Sequence, residues 1–414
     1  MNFFADRDKE LHVEDVPLSR IANQFGTPCF VYSRAALTST FLAYQEEFGA
    51  CPHLICYAAK ANSNLAVLDI LARLGSGFDI VSGGELKRVL AAGGDPRKVV
   101  FSGVGKSEAE LRDAIASNIL CFNVESESEM QRLARIAHDA GRVAPVSVRV
   151  NPDVDARTHP YISTGLRRNK FGVDVKDALR LYQYADANSN LHVTGIDCHI
   201  GSQLTDLAPM EDAARKVVAL VDQLATNGIA IEHVDFGGGL GIRYADEMPP
   251  PQTQLVRMLL ACVGSRQVKI MIEPGRSLAG NAGVLLTRVE YLKHGREKNF
   301  AVIDAAMNDL MRPALYDAHH EIRPVRAGAK PASVYDVVGP VCETGDFLGK
   351  DRALAIDEGD LLAVMSAGAY AMSMSSNYNT RPRAAEIMVD GSTAHLVRER
   401  ERIEDLYAKE SRLP

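Results

Sequence analysis

Eight short apolar, β-branched runs recur along the first two thirds of this chain, most of them followed by a longer amphipathic stretch. They are LICYAA at 54, GFDIVS at 77, VVFSG at 99, ILCFNV at 119, PVSVRV at 145, HVTGIDCHI at 192, IEHVDFGGG at 231 and VKIMIEPG at 268. A strand that is apolar on both faces must be covered on both, which is the situation of parallel strands in α/β folds. Between them, SNLAVLDILARLG and SESEMQRLARIAHDAG space apolar residues three and four apart, the period of a helix packed on one side. Eight such units in a row predict an α/β chain built on a (β/α)8 barrel, placed over residues 30–280. A doubly wound open sheet is the structural alternative.

Beyond about 280 the pattern changes to short strand-like runs, LLTRVEYLKH, FAVIDA, SVYDVVGP, LLAVMSAG and AAEIMVDG, separated by Gly, Asp and Pro turns. These predict a C-terminal β-rich domain over 281–414, joined by residues 1–29, with TPCFVYS at 27–33 able to add a strand. A barrel takes roughly 250 residues, so a chain of this length has room for one such appendage. PPPQTQ at 249–254 and RPVRAGAK at 323–330 read as loops. A net charge of −7 speaks against a polyanion-binding surface, so no nucleic-acid partner is expected. The N-terminus, MNFFADRDKELHVEDV, carries charges where a signal peptide needs an apolar stretch, and no run nears the roughly 20 residues that span a bilayer. No membrane partner and a cytoplasmic location are expected. The seven cysteines, at 29, 51, 56, 121, 198, 262 and 342, include no C-x-x-C pair, so they are expected to be reduced thiols with no metal site.

Many of the apolar runs close on a polar or glycine residue: Lys60, Asp79, the Gly103 loop, Arg149 with Asn151, His199, Gly237 to Gly239, and Glu273. In a barrel those ends converge on one face, where the chemistry is done. Lys60 in YAAKAN ends an apolar run, where partial loss of solvation lowers an ammonium pKa and favours the nucleophilic amine; a rim salt bridge is its bland alternative. The turn DFGGGLG at 235–241 offers closely approachable backbone N–H groups for a phosphate, and it follows the seventh strand, where barrels often bind one. Glu273 in EPGR can hold a pyridine nitrogen protonated, or simply pair with Arg276. His199 in HIGSQ can stack on a flat ring, with the Ser202 hydroxyl three residues on; a core histidine is the alternative. Arg312 and Tyr316 in MRPALY, with Arg276, can supply fork-shaped and hydroxyl donors to a carboxylate.

Taken in order, YAAKAN, FDIVSGGEL, NPD, STGLRRNKFG, CHIGSQ, FGGGLGI, EPGRSLAG, DLMRPALY, GPVCETGD and GAYAMSMSSNYN resemble the fold-type III pyridoxal-5′-phosphate decarboxylases, and within them the diaminopimelate decarboxylase branch. The resemblance implies an alanine-racemase-like barrel, a C-terminal β domain, pyridoxal 5′-phosphate as cofactor, and a homodimer with shared active sites. It implies meso-diaminopimelate as the small-molecule substrate, with L-lysine and CO2 as products. By position it makes Lys60 the Schiff-base lysine, His199 the residue on the cofactor face and Glu273 the partner of the pyridine nitrogen. Ser202, the turn Gly237, Gly238 and Gly239, and the Gly275–Arg276 backbone become the phosphate cradle. Cys342 becomes the proton donor to Cα and Glu343 the neighbour of the distal ammonium, both delivered by the second subunit, while Tyr370 touches cofactor and substrate. Substrate contacts fall to Arg276, Arg312, Tyr316, Glu343 and Tyr370. Relatives acting on carboxynorspermidine, ornithine or arginine, or a non-catalytic cofactor-binding regulatory protein, are the alternatives. A distal carboxylate is what an arginine at 312 would recognise and what ornithine lacks.

Overall fold

The structure is a computed structural model describing residues 3–155, 164, 170–328 and 330–414; most of STGLRRNKFG at 163–172 lies outside the described residues. The chain divides into two compact units, Ser39–Ile242 with Met248–Leu278, and Met1–Thr38 with Arg243–Glu247 and Ala279–Pro414.

The first unit is the expected barrel. Its strands are β1 (His53–Ala58), β2 (Gly77–Ile80), β3 (Val99–Phe101), β4 (Cys121–Val124), β5 (Ala144–Asn151), β6 (Leu191–Asp197), β7 (His233–Asp235) and β8 (Lys269–Ile272). All neighbours pair in parallel, and the ring closes where Ile270 of β8 meets His53 of β1. The strands β2 to β4 are buried along their whole length, as continuous apolar runs require. Cys56, Val100, Cys121 and Met271, from four different strands, form one buried cluster, so two of the thiols act as small core hydrophobes. Several of the intervening helices start on side-chain caps. Asn64 caps Leu65–Arg73, Ser82 caps Gly83–Ala91, and Ser107 with Glu110 forms a reciprocal capping box on Glu108–Ala116.

In the second unit, seven strands lie in the order Phe347–Leu354, Ser333–Val338, Asn299–Ile303, Gly283–His294, Cys29–Ser33, Ala385–Asp390, Thr393–Arg398. Leu11, Val13, Leu18, Ile21, Val31, Val284, Leu286, Ile387 and Val389 share its core. The strand Cys29–Ser33 sits between Gly283–His294 and Ala385–Asp390, so a boundary drawn at residue 30 falls inside a strand of this sheet. Two loop readings need correction. Gln252 already begins the helix Gln252–Val263, because Pro251 can precede a first turn without offering an N–H. Ile322–Pro324 is an edge strand antiparallel to Leu361–Val364, a place where proline is tolerated.

Candidate active site

At the carboxyl ends of the barrel strands the apolar runs give way to acids and glycines. Lys60 lies in the single turn Ala59–Ala61 after β1, and its Nζ donates to Asp79 Oδ2 at 2.7 Å. Asp79 is fully buried near the end of β2, so the ion pair places a cation above a wholly desolvated carboxylate. The end of β1 is tied to the start of the EPGR segment, since the Ala58 N–H donates to the Pro274 carbonyl at 3.3 Å.

The turn after β7 is shaped by its neighbours. Gly237 and Gly239 have φ of +65° and +126°, which side chains resist. A Cβ on Gly238 would lie 2.3 Å from the Glu273 carbonyl oxygen, so this backbone approaches the next strand as closely as only glycine permits. The turn is pinned from both sides: Gly237 N–H donates to Asp235 Oδ1 at 2.9 Å and Gly238 N–H to His199 Nδ1 at 3.1 Å. Because Nδ1 accepts, the neutral ring carries its proton on Nε2. His199 is held well below its ordinary value, by burial first and then by the charges of Arg149 and Lys60. The imidazole is therefore an uncharged, flat surface beside the glycine turn.

Glu273, just past β8, is buried, and one of its carboxylate oxygens, Oε1, has no hydrogen-bond partner. Burial pushes its carboxyl well up, Asp79, Asp235 and Asp197 add to that, and Lys60 opposes it. Asp197, Asp235 and Glu273 bring oxygens within 4.8 Å of one another. Behind them Arg149 donates to Glu125 at 3.2 Å and lies 3.8 Å from Asp197. Arg276 is buried, and its Nη2 and Nε donate to Ser202 Oγ at 3.0 and 3.3 Å, joining the residues after β6 to those after Gly275. Lys60, His199, Ser202, Gly237, Gly238, Gly239, Glu273, Gly275 and Arg276 are thus all carried by segments that follow barrel strands β1, β6, β7 and β8. Asp197 and Asp235 carried no role in the sequence, and Asp79 and Arg149 stood out only as polar strand ends. The signal for all four was one polar residue at or near the close of an apolar run.

The remaining expected residues lie in the β unit. Arg312 starts the short helix Arg312–Tyr316 and is buried, its guanidinium 5.1 Å from the Tyr244 ring and 5.8 Å from the Tyr316 ring. Tyr370 is half-buried with a φ of 54°, a conformation that costs a bulky residue energy and is enriched at functional sites. Cys342 and Glu343 are exposed. Cys342 N–H donates to Asn379 Oδ1 at 2.9 Å, and Tyr378 donates to Glu343 at 2.9 Å. Asp346, buried, accepts from the N–H groups of Val341 and Met307 and so shapes the loop that carries them.

Residues 34–280 match the family described as pyridoxal-dependent decarboxylase, pyridoxal binding domain. The chain belongs to the pyridoxal-dependent decarboxylases. It is 60% identical over 416 residues to the diaminopimelate decarboxylase of Vibrio cholerae and 59% identical over 414 residues to that of Pseudomonas aeruginosa, in both cases across 100% of each chain. Among solved structures, the diaminopimelate decarboxylase of Helicobacter pylori, complexed with L-lysine, is 42% identical with a TM-score of 0.92 over 94% of this chain and 98% of its own. That of M. jannaschii is 38% identical with a TM-score of 0.95 over 100% and 98%. The family's cofactor suits the barrel end: an amine on a turn, a glycine turn that a ligand can approach closely, a neutral flat ring, and a buried acid with an unpaired oxygen. No helix among the described residues is long and apolar enough to cross a membrane.

Proposed function

We infer that this enzyme decarboxylates meso-2,6-diaminopimelate to L-lysine and CO2 with pyridoxal 5′-phosphate as cofactor, the last step of lysine biosynthesis. The observation that carries this is the convergence at one barrel end of Lys60, the Gly237–Gly239 turn and the buried Glu273, in a chain 60% identical to a diaminopimelate decarboxylase. When bound, the cofactor supplies an electron-withdrawing ring that takes up the electron pair left as the Cα–carboxylate bond breaks.

The chain's own groups do the rest. Lys60 Nζ would hold the cofactor covalently, and Asp79 keeps that nitrogen at the turn. Glu273 would keep the ring nitrogen protonated and so make the ring a strong electron acceptor. His199, neutral and fixed through Nδ1, covers one ring face without adding a charge. The Gly238 backbone, Ser202 and the Gly275–Arg276 backbone bind the phosphate, and Tyr370 contacts cofactor and substrate. Arg276, Arg312 and Tyr316 bind the distal carboxylate, and Glu343 faces the distal ammonium. Cys342 Sγ delivers to Cα the proton that replaces the lost carboxylate. The exposure of Cys342 and Glu343 in the single chain supports their delivery to a second subunit, hence a homodimer with shared active sites. Seven free cysteines support residence in the reducing cytoplasm.

Purified protein with cofactor is expected to release CO2 and L-lysine from meso-diaminopimelate, and not to turn over ornithine or arginine comparably. Lys60→Ala is expected to lose the visible absorption of the protein-linked cofactor and to lower kcat by about 10³-fold or more. Retention of both band and turnover would remove Lys60 from its role.

A further inference from the structure

The barrel end holds more acid than its cations can balance. Asp79 is matched by Lys60, and Arg149 is shared between Glu125 and Asp197. Glu273 gains a positive partner only when a protonated ring nitrogen arrives, a point that rests on the cofactor-binding reading above. Asp235 has none in either state among the described residues. Its surroundings are Lys60 and Cys56 from the β1 side, Asp79 from β2, Cys121 from β4, Asp197 at the end of β6 with Cys198 after it, and Glu273 after β8, with His233 on its own strand.

We propose that Asp235 is held as a neutral carboxylic acid beneath the cofactor site and acts as a positioning residue. One oxygen anchors the glycine turn, and the other carries the proton. The geometry requires a proton somewhere in this trio, because three buried carboxylates with oxygens within 4.8 Å of one another cannot all ionise. Asp197 has Arg149, and Glu273 must be free to accept from the cofactor, so the proton falls to Asp235. Its Oδ1 already accepts from Gly237 N–H at 2.9 Å, while Oδ2 is buried with no other partner and is where the proton sits. Burial raises the carboxyls of Asp197, Asp235 and Glu273 alike, which supports a proton within the trio, and its place on Asp235 follows from the partners of the other two. The consequence is a turn held in place by an acid that adds no negative charge beneath the ring, leaving Glu273 as the single anion facing the nitrogen.

Infrared difference spectra of the cofactor-loaded enzyme at neutral pH, wild type minus Asp235→Asn, test this directly. A carbonyl-stretch band of a protonated carboxylic acid that vanishes in the variant is the expected result; a lost ionised-carboxylate band overturns the proposal. Asparagine can keep the contact with Gly237 N–H, whereas alanine leaves that N–H buried and unpaired. Asp235→Asn is therefore expected to bind pyridoxal 5′-phosphate about tenfold more tightly than Asp235→Ala, and equal losses in the two would count against the positioning role. Magnesium or calcium chloride alone raising the melting temperature of wild type, but not of Asp235→Asn, would put a cation in place of the proton and overturn it as well. The infrared band reports on Asp235 whether or not Lys60→Ala behaves as expected, so the two readings fail separately.

Discussion

Arg312 is the residue proposed to bind the distal carboxylate and so to separate substrates that share an ammonium. Its guanidinium faces the rings of Tyr244 and Tyr316, and its Nε donates to His320 Nε2 at 3.4 Å. His320, fully buried, lies 2.8 Å from the Met365 carbonyl through Nδ1; that carbonyl can only accept, so Nδ1 carries the proton and Nε2 is left to accept from the arginine. A lysine can neither stack its head on two rings nor donate in this fork geometry. Arg312→Lys is accordingly expected to raise KM for meso-diaminopimelate by about tenfold or more while kcat falls less, read by steady-state kinetics. An unchanged KM would show that the distal carboxylate is bound elsewhere. Arg312 was singled out in the sequence because MRPALY is a compact motif; its burial beside two tyrosine rings is what the structure adds. His320 and Tyr244 were not, because their importance comes from meeting Arg312 across gaps of 8 and 68 residues. Asp235 was hidden differently: an acid closing an apolar strand looks the same whether it is charged or neutral until its neighbours are known.

Among the elements, the pair β6 and β7 shows what a run of apolar letters conceals. Gly195 stands opposite His233 in the parallel register, and a Cβ there would lie 2.0 Å from the imidazole Nε2. The glycine exists to admit a buried histidine, which desolvation and the Lys269 charge push down to about 4. In the unfolded chain this imidazole titrates near 6.5, so it favours folding fully above that pH, and the contribution is lost as pH falls from 6.5 towards 4. The loss amounts to about 3 kcal/mol over that window. Thermal melts between pH 7 and 4.5 should therefore show a steeper acid decline in wild type than in His233→Gln; parallel declines would mean that His233 titrates normally when folded. All eight barrel strands could be read from the sequence because burial on both faces leaves a continuous apolar signature. Phe347–Leu354 and Thr393–Arg398 escaped because much of each is exposed and their pairing partners supply the stability that composition does not.

For the whole molecule, the proposed delivery of Cys342 and Glu343 to a second subunit has a direct test. Lys60→Ala and Cys342→Ala chains, each nearly inactive alone, should recover about a quarter of wild-type turnover when refolded or exchanged together, since random pairing makes half the dimers mixed and each mixed dimer keeps one intact site. No recovery would place both residues in a site built from a single chain. The general architecture was legible because alternation over eight units leaves few alternatives. The ownership of the N-terminal segment was less so, because a five-residue strand carries no mark of the sheet it will join. That strand, Cys29–Ser33, leaves the ribosome ahead of both its sheet neighbours, Gly283–His294 and Ala385–Asp390. Some 250 residues must be translated before the first of them exists, and about 350 before the second, so the barrel has time to close while the opening segment waits with both hydrogen-bonding edges bare. A nascent chain stalled before residue 385 would thus present an apolar, half-paired edge, the form in which chaperones would first meet this protein.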